Sequence, residues 1–252
     1  MKTDILIIGS GCAGLYCALQ LPKEREILII TKEIIEHSDS FLAQGGICML
    51  KNDNDYDSFY EDTMHAGHYE NNPEAVDIMI RSSQDVIQDL ISYGTDFQRD
   101  ENGALSFTRE GGHSDFRILF HEDITGKEIT STLLKEARKR PNIRILEYCS
   151  MLDILCEQNT CYGAVVRNDD EQITTITANY TVLACGGIGG LYEHSTNYRQ
   201  LTGDGVAVAM KHGVELEHLN YVQIHPTTLY SPNQKDRRFL ISESVRGEGA
   251  VL

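Results

Sequence analysis

The sequence has little positive charge: 22 lysines and arginines stand against 38 aspartates and glutamates, a formal net charge of −16 over 252 residues. So acidic a chain is poorly suited to nucleic acid, whose phosphates demand a basic face, and it offers no basic stretch for an anionic membrane surface. No apolar run approaches the roughly 18 residues that a membrane helix needs. A secretory signal is also missing, because Asp4 interrupts the place where a cationic start would stand. Together these absences predict a cytoplasmic protein with no nucleic-acid or membrane partner. The seven cysteines make an odd count and contain no C-x-x-C pair, so neither a disulfide framework nor a zinc ribbon is expected. Cys156 and Cys161 fall in one expected hairpin, but free thiols are the expected state in a reducing compartment. His65 and His68 have metal-compatible spacing on an expected helix, yet nothing supplies a third ligand. No metal is expected, and both read as surface histidines.

What is present is an apolar strand, Ile5-Leu6-Ile7-Ile8, that runs into Gly9-Ser10-Gly11-Cys12-Ala13-Gly14 and then into a helical pattern. This is the layout that holds a dinucleotide pyrophosphate: Gly9 for the tight turn, Gly11 for close backbone approach, Gly14 for helix-strand packing. Ile27-Leu28-Ile29-Ile30 supplies the second strand of the βαβ unit. The acidic residue that usually ends that strand and grips ribose hydroxyls is lacking, and Thr31 and Lys32 stand there instead. Thr31 retains a hydroxyl and Lys32 suits a ribose or phosphate, so FAD and NADP both remain open at this step.

Further along, Ser38 to Ile47 is a small and polar loop ending in Gly45-Gly46, suited to close ligand approach. Asn72-Pro73 caps a helix with Val76, Ile80, Ile87, Leu90 and Ile91 on one face, stopped by Gly94. A second amphipathic helix follows Thr125-Gly126-Lys127, and Ile143 to Leu146 is a strand. Ser150 to Ala184 reads as an antiparallel meander turning at Gln158-Asn159 and at Asn168-Asp169-Asp170, before a return strand, Tyr180 to Ala184, ends in Cys185-Gly186-Gly187. Thr202-Gly203-Asp204-Gly205 opens one more helix, where Asp204 is either an N-cap or a ligand-facing carboxylate.

Gly9 to Gly14, Ala43-Gln44-Gly45-Gly46-Ile47, Ala184 to Gly187, Thr202 to Gly205, Gln223-Ile224-His225-Pro226-Thr227 and Ser242-Glu243-Ser244-Val245-Arg246-Gly247-Glu248-Gly249-Ala250 together resemble the succinate dehydrogenase/fumarate reductase flavoprotein family. Thr108-Arg109-Glu110-Gly111-Gly112-His113, with His121 and Thr125-Gly126 behind it, is most similar to the branch that oxidises L-aspartate to iminoaspartate at the start of NAD synthesis, passing electrons to oxygen or fumarate. The resemblance implies an α/β, Rossmann-like FAD-binding domain with a parallel sheet and an inserted meander over residues 1–228, then the start of a substrate-capping domain over 229–252. It places Ser10, Gly11, Cys12, Ala13, Lys32, the loop Asp39, Ser40, Phe41, Leu42, Ala43, Gln44, Gly45 and Gly46, and Asp204 around FAD. Asp39 stands where the succinate-oxidising branch carries the histidine that bonds to flavin, and His37 is out of register, so dissociable FAD is expected.

The same resemblance assigns His225, Thr227 and Ser242 to the substrate carboxylates, Glu110 to the substrate ammonium, and Glu243 and Arg246 to proton relay. A carboxylate favours an ammonium where a glutamine would not. Each residue also has a plainer role open to it: an ion pair of Glu110 with Arg109 or His113, a backbone-satisfied His225, a helix brace for Arg246 and Glu248. Arg117 and His121 are unassigned. The family's catalytic arginine would lie beyond residue 252, so the sequence reads as a fragment or an unusually short product. A soluble fumarate reductase and a non-catalytic FAD-binding module are the alternative functions.

Overall fold

A computed structural model describes residues 1–225, 227–232, 237–242 and 245. In chain order the elements are β1 (Lys2–Ile8), α1 (Cys12–Gln20), β2 (Ile27–Ile30), α2 (Asp39–Leu42), β3 (Ile47–Cys48), α3 (Tyr56–Ala66), α4 (Pro73–Tyr93), β4 (Ile118–Leu119) and α5 (Thr125–Arg138). There follow β5 (Ile143–Leu146), β6 (Ser150–Glu157), β7 (Thr160–Arg167), β8 (Ile173–Leu183), α6 (Asp204–Lys211), β9 (Thr228–Leu229) and β10 (Phe239–Leu240). The chain divides into two compact units, the first comprising Met1–Leu42 and Leu133–Leu240, the second Ala43–Thr132 and Ile241–Leu252.

The first unit is built on a six-stranded sheet of order β5-β2-β1-β8-β7-β6. Strands β5, β2, β1 and β8 are parallel, while β7 and β6 continue the sheet antiparallel from β8. Because β1 and β2 are covered on both faces, they are unbroken apolar runs, with Leu6, Ile7, Leu28, Ile29 and Ile30 wholly buried. One core cluster joins Leu6, Ile8, Leu28 and Ile30 to Met151, Val166, Ile176 and Val208. The last arm of the expected meander and the return strand prove to be a single element: the first half of β8 pairs antiparallel with β7 and the remainder runs parallel to β1, from Lys2 opposite Thr177 to Ile8 opposite Leu183.

The second unit has its own core of Leu50, Phe59, Met64, Val76 and Ile80. Helix α4 forms as the sequence predicts, since Asn72 Oδ1 accepts the Glu74 and Ala75 amides at 3.0 and 3.2 Å, and Gly94 closes the helix at φ 104°. His65 and His68 do not share a helix. α3 ends at Ala66, and His68 sits in the turn beyond it at φ 53°. Both are exposed, and no cluster of three or more metal-ligating side chains exists among the described residues. No helix among them is long and apolar enough to cross a membrane.

Candidate cofactor-binding site

The glycines at the end of β1 are dictated by backbone proximity. Gly9 has φ 122°, and a Cβ there would lie 2.0 Å from the Ala184 carbonyl oxygen at the end of β8. A Cβ on Gly14 would lie 2.1 Å from the Gly9 carbonyl oxygen, so α1 packs onto the strand end only without one. Gly11 faces a side chain instead, Ser40 Oγ, which a Cβ would approach to 2.9 Å. That hydroxyl accepts the Cys12 amide at 3.0 Å, and no acidic side chain enters the first turn of α1. The start of this helix therefore keeps its preference for an anion. Gly186 also needs its conformation, at φ 70°, whereas Gly187 faces open space.

Gly9, Ser10, Gly11, Ser40 and Gly186 line a cavity of about 460 Å³ at the carboxyl ends of β1, β2 and β8, in the size range of small-molecule sites, whereas Cys12, Gly14 and Gly187 are not among its lining residues. Ala13 lines it too. Thr31 turns away from free solvent, its Oγ1 3.1 Å from buried Ser10 Oγ. Lys32 Nζ lies 2.5 Å from Asp204 Oδ2, 2.8 Å from Thr202 Oγ1 and 2.9 Å from the Gln200 carbonyl oxygen. Asp204 is thus not the N-cap; Gly203 holds that position and Asp204 is the first residue of α6. The carboxylate that β2 lacks in sequence arrives at its end from another part of the chain, tethered by Lys32.

Sequence reasoning missed the segment that holds this cluster together. Tyr198 stacks on His37 with ring centres 4.8 Å apart, and its amide donates to Asp39 Oδ1 at 3.1 Å. Gln200 Nε2 donates to the His37 carbonyl at 2.8 Å. Neither Tyr198 nor Gln200 belongs to a recognisable motif, and only the following Thr-Gly-Asp-Gly run signals their neighbourhood. Burial pushes the Asp39 carboxyl above its ordinary range, opposed by the Tyr198 amide and Arg237. Cys185, beside Asp204 in the same cavity, has its thiol pushed up to about 11, mainly by burial, and stays protonated.

In the second unit the two adjacent glycines differ. A Cβ on Gly46 would lie 2.4 Å from the Leu119 carbonyl oxygen, so Gly46 serves packing against β4, while one on Gly45 would lie 3.0 Å from Glu110 Oε1. The Ala43 and Gln44 carbonyls accept the Gly126 and Thr125 amides at 2.9 and 3.4 Å. Gln44 Oε1 is buried without a hydrogen-bond partner, an acceptor suited to an imide or amide N–H of a bound group. Arg109 lies over the Phe116 ring, 5.2 Å from its centre. Ser242 Oγ donates to Asp123 Oδ1 at 2.6 Å.

Arg117 neither meets solvent nor waits for substrate. It is wholly buried and binds Asp55 at 2.9 Å, Asp62 at 2.5 Å and Ser58 at 2.8 Å. Against the effect of its partial burial, the Ser114 amide and Arg117 hold the Asp62 carboxyl below its usual range. His121 is fixed locally, its amide donating to Thr125 Oγ1 at 3.0 Å and its Nδ1 lying 2.5 Å from the Asp96 carbonyl oxygen. A separate cavity of about 660 Å³, bordered by Phe59, Asp62, Met79 and His113, contains none of the expected site residues.

Of the substrate residues, His225 and Thr227 belong to the first unit, and Glu110 and Ser242 to the second. His225 Nδ1 lies 3.0 Å from the Thr227 carbonyl oxygen and 3.3 Å from its amide nitrogen. Glu243 and Arg246 lie outside the described residues.

A Gly-lined cradle at a helix start, with a carboxylate brought to the end of the second strand, defines a dinucleotide-binding α/β protein. Residues 4–252 match the FAD binding domain family, and the chain belongs to it. FAD is its cofactor. The chain is 48% identical over 249 residues to an L-aspartate oxidase of Clostridium perfringens, covering 99% of this chain and 56% of that protein. It is 46% identical to the L-aspartate oxidase of Clostridium acetobutylicum, covering 100% of this chain and 58% of that one. The chain therefore spans a little over half the length of these curated relatives. Among solved structures, a quinol fumarate reductase chain of E. coli superimposes with a TM-score of 0.92 at 31% identity, covering 99% of this chain and 43% of that one.

Proposed function

We propose that this chain is the flavin-binding part of an enzyme that oxidises L-aspartate to iminoaspartate, with electrons passing to oxygen, which yields hydrogen peroxide, or to fumarate. The observation that carries this reading is Glu110, whose carboxylate lies against the bare backbone of Gly45 in the Ala43–Gly46 loop. A fixed negative group there favours a substrate bearing an ammonium over one bearing only carboxylates. His225, Thr227 and Ser242 offer an imidazole and two hydroxyls for the two carboxylates. Glu243 and Arg246 would carry protons away.

Gly9, Gly11, Lys32 and Asp204 would hold FAD, which when bound would supply an acceptor for the hydride from the substrate Cα. The Asp39 position supports non-covalent attachment, and a cytoplasmic setting, with the product entering NAD synthesis, belongs to the same reading. The high similarity to the quinol fumarate reductase structure favours fumarate reduction as the second reading. The test is anaerobic bleaching of the bound flavin by L-aspartate, followed by peroxide release on admitting air. A protein that keeps its flavin and is bleached by succinate alone would move the assignment to the second reading. One bleached by neither is a non-catalytic binding module.

A further inference from the structure

We propose that Cys156 and Cys161, at the tip of the β6–β7 hairpin, form a reversible dithiol that hydrogen peroxide closes to a disulfide. The two residues are direct cross-strand partners, one pair removed from the turn. Gln158 and Asn159 both adopt left-handed backbone, at φ 47° and 61°, which makes the two-residue connection a type I′ turn and pins its register. In such a hairpin the pair flanking the turn, Glu157 and Thr160, exchanges hydrogen bonds, so the next pair is non-hydrogen-bonded. Side chains of that pair share one face, with Cα atoms about 4.5 Å apart, inside the roughly 4.4–6.8 Å span a disulfide requires.

The surroundings isolate the pair. Between Cys161 and Ala164 the register shifts, with Gly163 at φ 129°, so a bulge separates the hairpin tip from buried Ala164 and Val166. Twisting the tip to close a bond leaves that core in place. Cys156 is exposed and Cys161 half-buried, whereas Cys149 is buried, and burial pushes the thiols of Cys17, Cys48, Cys149 and Cys185 upward. Peroxide therefore meets the hairpin thiols before the core ones.

The chemistry is closed by peroxide alone. The Cys156 thiolate attacks one peroxide oxygen, the O–O bond breaks and hydroxide leaves, taking up the proton the thiol had released to become water and giving a sulfenic acid. The Cys161 sulfur then attacks the Cys156 sulfur, the S–O bond breaks and a second water leaves, so two thiols lose two hydrogens while peroxide is reduced to water. The pairing does not depend on the proposed substrate; if oxygen is the acceptor, the same protein also makes the oxidant.

Cleavage after Glu157 separates Cys156 from Cys161 unless a disulfide joins them. The flavin-loaded protein is exposed to hydrogen peroxide, alkylated, cleaved there and weighed. The expected product is one linked species, about 2 Da lighter than its two peptides, with Cys149 alkylated and with dithiothreitol restoring both fragments. In the Cys161→Ser variant, Cys156 should instead gain oxygen and no longer be fully restored. Wild-type protein in which Cys156 gains oxygen while Cys161 stays alkylatable, or pairs with Cys149, overturns the proposal. So does a pair that remains alkylatable after methionines have been oxidised. The wild-type map decides the matter even if the variant fails to fold.

Discussion

The two units solve the same problem, fixing polar groups away from water, by opposite means. In the first, backbone does it: Gly9 and Gly14 remove side chains so that strand ends and helix start can meet. In the second, a side chain does it: Arg117, wholly buried, gathers Asp55, Asp62 and Ser58 from α3 and the turn before it. A backbone solution fails when an atom is added, and a charge solution fails when one is removed.

The largest expected effect follows from that contrast. Arg117→Ala leaves two carboxylates without their cation, one of them deeply buried, and should lower unfolding free energy by roughly 3–5 kcal/mol in urea titration. A loss below about 1 kcal/mol would mean that water replaces the guanidinium and that the second unit is not charge-organised. Next comes Gly11→Ala, where the obstructing atom is a movable serine hydroxyl rather than backbone. Flavin affinity should fall about tenfold, or 1.4 kcal/mol, with the melting temperature of the flavin-free protein nearly unchanged. Gly14→Ala should instead lower both, because a carbonyl cannot step aside.

Smaller again is Asn72→Ala, which removes the cap of α4 and should destabilise by about 1 kcal/mol in thermal or chemical unfolding. The smallest effect lies in acid. Hydrogen bonds from Lys211 and His212 lower the Asp153 carboxyl from 3.8 to about 2. Its folded value lies below its unfolded one, so the stabilisation is present above about pH 4 and is lost as pH falls toward 2. Asp153→Asn should flatten that limb of the stability curve and leave the neutral range almost unmoved. An unchanged acid limb would remove Asp153 from the account.

Legibility in the sequence follows the same division. The turn after β1, the cap and stop of α4, and β5 were readable because each is decided by a few consecutive residues. The fusion of the meander's last arm with the return strand into β8 was not, since only the presence of β1 alongside keeps the strand going. Asp204 was recognised as a candidate, but its tie to Lys32 depends on Tyr198 and Gln200 docking onto the His37–Asp39 turn, which no local pattern announces. Arg117 carries no assignment in the sequence because its acids lie dozens of positions away.

The double pairing of β8 has a consequence in time. Ile8 finds its neighbour Leu183 only after all the intervening elements through β7 have been made, whereas β6, β7 and the first half of β8 are joined by short turns. On a ribosome the amino-terminal strand must wait, one edge unsatisfied, until that late hairpin ribbon emerges to accept it. Contacts so distant along the polypeptide slow folding, so maturation of the flavin cradle is paced by synthesis of its far side.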